Sequence, residues 1–215
     1  MRRLYCLVVL IFLWSSASAA QDQDNLGKNE LAGTYGYTFV SNQGVLNSSL
    51  STPIITFGTG YTFEVNYARI LVDRKWYDFG VEVPTIVNLD EDLHYFTDEI
   101  PQGYSSIFIT PAARLRLIPT MAFSPWFSFG GGFGRFGSSS SLIYGGSNAG
   151  SRSATSGVIE GGVGLDVGIP CDCARHFRIR VEARDDWSGV PALNVDTGKA
   201  RQHNYYVGGG VVYRF

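Results

Sequence analysis

Between residues 176 and 187 the chain alternates with a period of two. Phe177, Ile179, Val181 and Ala183 fall on one side, and Arg178, Arg180, Glu182, Arg184 and Asp186 fall on the other. Successive side chains of an extended strand point to opposite faces, so this segment is a ribbon with one oily and one charged face. A helix would scatter both sets around its circumference. Residues 156–169 repeat the pattern, with Val163, Leu165, Val167 and Ile169 set against Glu160, Gly162, Gly164, Asp166 and Gly168. Whatever sheet these strands build must present two chemically incompatible surfaces.

Reading the chain for the same period gives eight segments: 30–41, 54–68, 75–87, 105–118, 123–137, 156–169, 176–187 and 202–215. Further apolar sets are Phe63, Val65 and Tyr67, then Tyr77, Phe79, Val81 and Val83, then Ile107, Ile109, Leu115 and Leu117, and finally Phe127, Phe129 and Phe133. The connections alternate in length. Residues 69–74, 119–122 and 170–175 are short, while 42–53, 88–104, 138–155 and 188–201 are long. An even strand number with short turns at one end and long loops at the other is the pattern of transmembrane barrels. The expected fold is therefore all-β, an eight-stranded antiparallel up-and-down transmembrane β-barrel. Pro111 falls mid-strand, where it has no N–H to give a ladder, and predicts a local bulge.

Alternation alone leaves the direction of the two faces open, since a soluble lipocalin-like barrel would bury the oil. Glycine on the polar face (Gly130, Gly132, Gly134, Gly162, Gly164, Gly168) suits a crowded interior where arginines need room. Aromatic residues near strand ends, Tyr61, Tyr77, Trp126, Phe177, Trp187, Tyr205 and Tyr213, suit girdles at membrane interfaces. Both place the oil outside.

The ends of the chain agree with membrane residence by export. Arg2 and Arg3, an apolar run over 4–14 and small residues over 15–20 have the form of a cleaved secretory signal. The apolar run is far short of the roughly 20 residues a spanning helix needs. The expected organisation is a signal peptide over 1–20, a short periplasmic segment over 21–29 and a barrel domain over 30–215. The last strand, with Val211, Tyr213 and Phe215 on one face, resembles the terminal signal read by the assembly machinery of bacterial outer-membrane barrels. With the strand pattern, the chain resembles the outer-membrane protein β-barrel domain family, the small OmpA/OmpX-like group, over residues 30–215. That resemblance implies residence in the bacterial outer membrane, contact with its lipids and lipopolysaccharide, a monomeric state and a role as a non-enzymatic anchor or adhesin-like surface protein. It implies no cofactor and leaves any extracellular ligand of the loops unnamed.

The inward face collects Arg114, Arg116, Arg178, Arg180 and Arg184 against Glu64, Asp78, Glu82, Glu160, Asp166 and Glu182. Buried ions of this kind are tolerated when paired and hydrogen-bonded. If the strands at 156–169 and 176–187 pair so that facing positions sum to about 344, Asp166 faces Arg178 and Glu160 faces Arg184, Gly164 faces Arg180, and Gly162 faces Glu182. An interior of eight strands is just wide enough for side chains to fill, so the lumen reads as a polar plug, with a narrow ion-conducting channel as the alternative.

A lipid-modifying enzyme is the third reading. It would rest on His203 near Ser188 and Asp186, with no motif linking them. Cys171 and Cys173 in a short turn, with His176 close by, are a candidate disulfide, strained by their spacing, or a pair of free or transiently oxidised thiols; a structural zinc site wants four ligands, which this cluster lacks. Residues 88–104 carry Asp90, Glu91, Asp92, Asp98 and Glu99 around Leu93, Tyr95 and Phe96; without calcium-loop spacing they read as a solvated acidic loop, with contact to a divalent ion, or to a partner through the aromatics, as the alternative. Residues 138–155, rich in serine and glycine, read as a mobile loop tip. A net charge of −2 with scattered basic residues excludes a nucleic-acid partner.

Overall fold

A computed structural model describes residues 27–46, 53–169 and 176–215 of the chain. Its strands are β1 (Asn29–Val40), β2 (Gln43–Gly44), β3 (Ile54–Phe57), β4 (Thr59–Asp73), β5 (Tyr77–His94), β6 (Gly103–Ile109), β7 (Ala112–Leu117), β8 (Phe123–Ser138), β9 (Ser153–Gly168), β10 (Phe177–Ser188) and β11 (Gln202–Arg214). All pairings are antiparallel, and neighbours in space are mostly neighbours in sequence. β1 pairs with both β4 and β11, which closes the sheet. With β3 running into β4 and β6 into β7, the ring has eight walls. Closure removes the unpaired edges that an open sheet would present.

The interruption between β6 and β7 falls at Pro111, the residue that cannot donate. The wall stays hydrogen-bonded across the gap, because Thr110 N–H reaches Pro84 O (3.3 Å) and Gly131 N–H reaches Pro111 O (3.1 Å). The last strand closes the barrel at its turn end, where the backbones of Asn29 and Phe215 exchange two hydrogen bonds (2.9 and 2.8 Å).

Exposure follows the two faces of the sequence. Val65, Val81, Phe127, Val163, Ile179, Val181, Val207 and Val211 point outward, while the buried set includes Glu64, Glu82, Arg114, Glu160, Arg180 and Arg184. The molecule is oil outside and ions inside. Such a continuous apolar wall is stable in hydrocarbon, where every backbone polar group must be satisfied within the ring. Aromatic pairs reinforce the outer face, as in Tyr35–Phe63 (ring centroids 5.0 Å apart) and Phe177–Tyr213 (5.0 Å). One expected girdle residue does not belong there. Trp126 is fully buried in the lumen, since it is in phase with Ser124 and Ser128 on the inward face of β8.

The interior has two halves. Toward the short turns it is ionic. Toward the long loops, the inward residues Val40, Ile86, Phe108, Phe136, Val158 and Tyr206 meet Ile55, Phe57, Leu93, Tyr95, Ile100 and Leu193 in an apolar core. Phe108 and Phe136 pack edge to face at 5.7 Å, and Tyr104 does the same with Phe136. The loops thus fold inward over the barrel mouth.

This corrects two expectations. Residues 88–104 are not simply a solvated acidic loop: β5 continues to His94, Glu91 is buried, and Leu93, Tyr95 and Ile100 supply part of the cap. Residues 138–155 have partners where a free loop tip was expected. Asp98 accepts a hydrogen bond from Tyr144 N–H (2.8 Å), Asn194 donates to Asn148 (2.9 Å), and Ser138 donates to Ala192 O (3.0 Å).

Candidate functional site: the charged lumen and its cap

Period-two alternation sends one charged set from each wall to the same interior, and the ring brings together residues far apart in sequence. At the turn end, Arg114 pairs with Glu30 and Arg116 with Glu30 (2.7 Å), Asp78 (2.5 Å) and Asp166 (3.3 Å). Arg180 grips Asp166 with two hydrogen bonds, Nε to Oδ1 (2.7 Å) and Nη2 to Oδ2 (2.9 Å). The planar guanidinium fork matches a carboxylate in this way, and lysine could not reproduce it.

Higher in the lumen one residue serves four acids. Arg184 lies 3.1 Å from Glu64, 2.9 Å from Glu82, 2.8 Å from Glu160 and 3.3 Å from Glu182. Arg114 adds a longer contact to Glu82 (3.4 Å), and Asn66 donates to the same carboxylate (3.0 Å). Glu182 is held by Thr34 Oγ1 (2.7 Å), whose hydroxyl also meets Tyr206 Oη (2.7 Å). Glu160 accepts from Ser128 Oγ (3.0 Å).

Trp126 holds the two tiers together. Its ring lies 4.8 Å from the Arg180 guanidinium and 5.0 Å from that of Arg184, a cation–π arrangement on both. Its Nε1–H donates to Asp166 Oδ1 (3.2 Å). The indole fits because its cross-strand neighbour is Gly164. A Cβ at Gly164 would overlap the ring, and one at Gly162 would press on Ser128 and on the Arg184–Glu160 pair. Gly134, Gly162 and Gly164 make room for lumen side chains, as the sequence suggests, whereas Gly130 and Gly132 lie against the backbone around Pro111.

The proposed pairing of β9 with β10 needs correction. Asp166 faces Arg180, and Arg178 faces Gly168; Glu160 faces Asp186, and Arg184 faces Gly162. Gly164 faces Glu182. The register is displaced by two positions. Arg178 consequently leaves the ion-pair network and donates to Ser124 Oγ (2.8 Å) and Pro119 O (2.6 Å). The contact between Glu160 and Arg184 survives as a diagonal one. Sequence reasoning also missed Glu30, Glu91 and Trp126 as members of the interior, although each shares the parity or the buried phase of its strand, and it placed Asp186 on the charged face without counting it among the lumen acids.

Above the ionic tiers a belt of amides and hydroxyls crosses the barrel under the cap. Gln43 donates to Gln202 (2.9 Å), Gln202 to Asn204 (2.8 Å), and Asn204 to Ser188 Oγ (2.9 Å). Glu91 sits at the same end, accepting from Asn88 (2.9 Å). The residues weighed for hydrolysis separate here. Ser188 and Asp186 are buried on the inner face, whereas His203 is on the outer face, pairing with Asp185 (2.7 Å) and stacking on Tyr205 (5.5 Å). Cys171 and Cys173 lie outside the described residues; neighbouring His176 meets Arg214 O at 2.8 Å. Among the described residues no cluster of three or more histidine, cysteine or acidic side chains is disposed to hold a metal ion.

Of the residues expected to form an assembly signal, Val211 and Tyr213 face outward beside Ile179 and Phe177, and Phe215 stacks on Tyr213 at 5.6 Å.

No family model matches the chain, and no curated protein does. Solved structures do. The Neisserial surface protein A (NspA) superposes with a TM-score of 0.50 at 14% identity, covering 89% of this chain and 100% of NspA. The outer membrane protein OprG from Pseudomonas aeruginosa superposes with a TM-score of 0.51 at 10% identity, covering 90% of this chain and 99% of OprG. The fold is that of the small eight-stranded outer-membrane β-barrels.

Proposed function

We propose that this protein is a non-enzymatic integral protein of the bacterial outer membrane, a structural anchor that presents its long loops outward for surface interaction. The observation that supports this reading best is the double closure of the interior. Ion pairs fill the turn end, and the apolar core around Ile100, Phe108 and Phe136 fills the loop end. A barrel so packed offers its membrane an anchor and its surroundings a set of loops, joined to one another by the Asp98–Tyr144 and Asn148–Asn194 hydrogen bonds. The likeness in fold to NspA and OprG supports the compartment. The short turns then face the periplasm, and the strand ending in Tyr213 and Phe215 is the segment the assembly machinery reads.

Recording from the purified protein in a planar lipid bilayer tests this reading. The expected trace is free of unitary current steps. Discrete, reproducible steps that scale with salt concentration would replace the anchor with the narrow ion-conducting channel.

A further inference from the structure

The lumen is not electrically balanced. Among the described residues nine carboxyl groups are buried against four guanidinium groups. The excess is local. The turn end is compensated, with Arg114, Arg116 and Arg180 distributed over Glu30, Asp78 and Asp166. The tier above it sets four carboxylates around Arg184, and Arg114 reaches only one of them, Glu82.

A fifth acid then enters with no guanidinium of its own. Asp186 is 1% exposed and stands directly across the β9–β10 ladder from Glu160, which is 0% exposed. Like charges at facing positions repel. Asp186 Oδ1 and Glu160 Oε2 are both buried and meet no hydrogen-bond donor among the described residues. Glu64 is 3.1 Å from Arg184 Nε, yet neither of its oxygens accepts an aligned hydrogen bond. Besides Arg184, the charged groups near this tier are Arg114, 3.4 Å from Glu82, and Arg180, which is committed to Asp166; the neutral ones are Ser128 from β8, Thr34 from β1, and Tyr206 and Asn204 from β11. An uncompensated charge in a water-poor interior costs several kcal/mol, so Glu160 and Asp186 both ionised beside Glu64 and Glu182 do not describe a stable state.

We propose that the Glu160–Asp186 pair is a proton-binding site, where the two facing carboxyl groups take up and share a proton on folding. It goes beyond the anchor reading and does not depend on it, since a silent barrel and a conducting one would both need the charge supplied.

The test is thermal unfolding of the full-length protein in detergent micelles, with the salt supplied by a bulky organic cation too large to enter the barrel. Uptake on folding means that stability follows proton activity. The unfolding midpoint should fall by about 5 °C or more between about pH 6 and about pH 9. The isosteric double variant Glu160→Gln with Asp186→Asn should keep less than half of that fall, and should unfold at a higher temperature than the parent at the alkaline end. Asp185→Asn, on the outward face of the same strand, should keep all of it. Adding sodium, potassium or calcium ions at the alkaline end should not restore the midpoint of the parent; recovery in the parent and not in the double variant overturns the proposal in favour of a bound metal ion. Equal falls in the parent and the double variant overturn the proposal, as does a midpoint that is flat across the range.

Discussion

The two halves of the interior solve the same packing problem with opposite chemistry. At the turn end the strands fill the lumen themselves, with arginine and carboxylate side chains locked by fixed geometry. At the loop end the strands supply only part of the filling, and the rest comes from Tyr95, Ile100 and Leu193, residues the loops fold back into the barrel mouth. The ionic half is therefore continuous with the ring, whereas the cap rests partly on segments that can detach while the ring stays closed. Strong, directional and unforgiving interactions sit where the backbone is fixed. Adaptable apolar contacts sit where it is not.

Removing the hub of the ionic half should be the most damaging change. Arg184→Met strands the carboxylates it serves, and breaking a buried ion pair from one side costs about 3–5 kcal/mol; urea unfolding in lipid vesicles measures it. A loss under about 1 kcal/mol would mean that water, and not Arg184, solvates those acids. Next comes the wall. Val181 is 52% exposed on the outer face, and Val181→Arg should cost roughly 2–4 kcal/mol in a bilayer. Unchanged urea stability would reverse the two faces of β10.

The cap should respond differently in kind. Ile100→Ala removes part of a fully buried side chain, a loss of about 2 kcal/mol or more. That loss should speed amide exchange in residues 95–102 roughly thirtyfold while leaving global unfolding nearly unmoved. The smallest effect belongs to Arg178→Met. Arg178 makes hydrogen bonds to Ser124 and Pro119 and no ion pair among the described residues, so about 1 kcal/mol is expected. A loss as large as that of Arg184→Met would bring Arg178 back into the ionic network.

How far the sequence could be read follows from what a period of two encodes. It fixes faces, and the structure keeps every alternating set of β9 and β10 on its expected side. It does not fix register at that resolution. A slip of one residue turns the charges into the membrane and is forbidden, but a slip of two returns every side chain to its own face. That is how Asp166 comes to face Arg180 where Arg178 was expected. Trp126 was misplaced for a related reason: residue type suggested an interfacial girdle, while its parity and the facing Gly164 put it inside. The cap was hidden altogether. Leu93, Tyr95, Ile100 and Leu193 lie among acids, glycines and prolines with no sustained period, and only closure of the ring creates the apolar mouth they fill.

Hydrogen exchange across the whole protein in lipid nanodiscs tests the contrast most directly, because it reads the opening free energy of each half in one sample. Amides of β9 and β10 around Asp166, Arg180 and Arg184 should exchange only through global unfolding, whereas those of residues 95–102 and 189–200 should exchange through a separate, cheaper opening that Ile100→Ala accelerates and Arg184→Met does not. A single common exchange free energy for both regions, shifted equally by either substitution, would contradict the account and make cap and ionic lumen one cooperative unit.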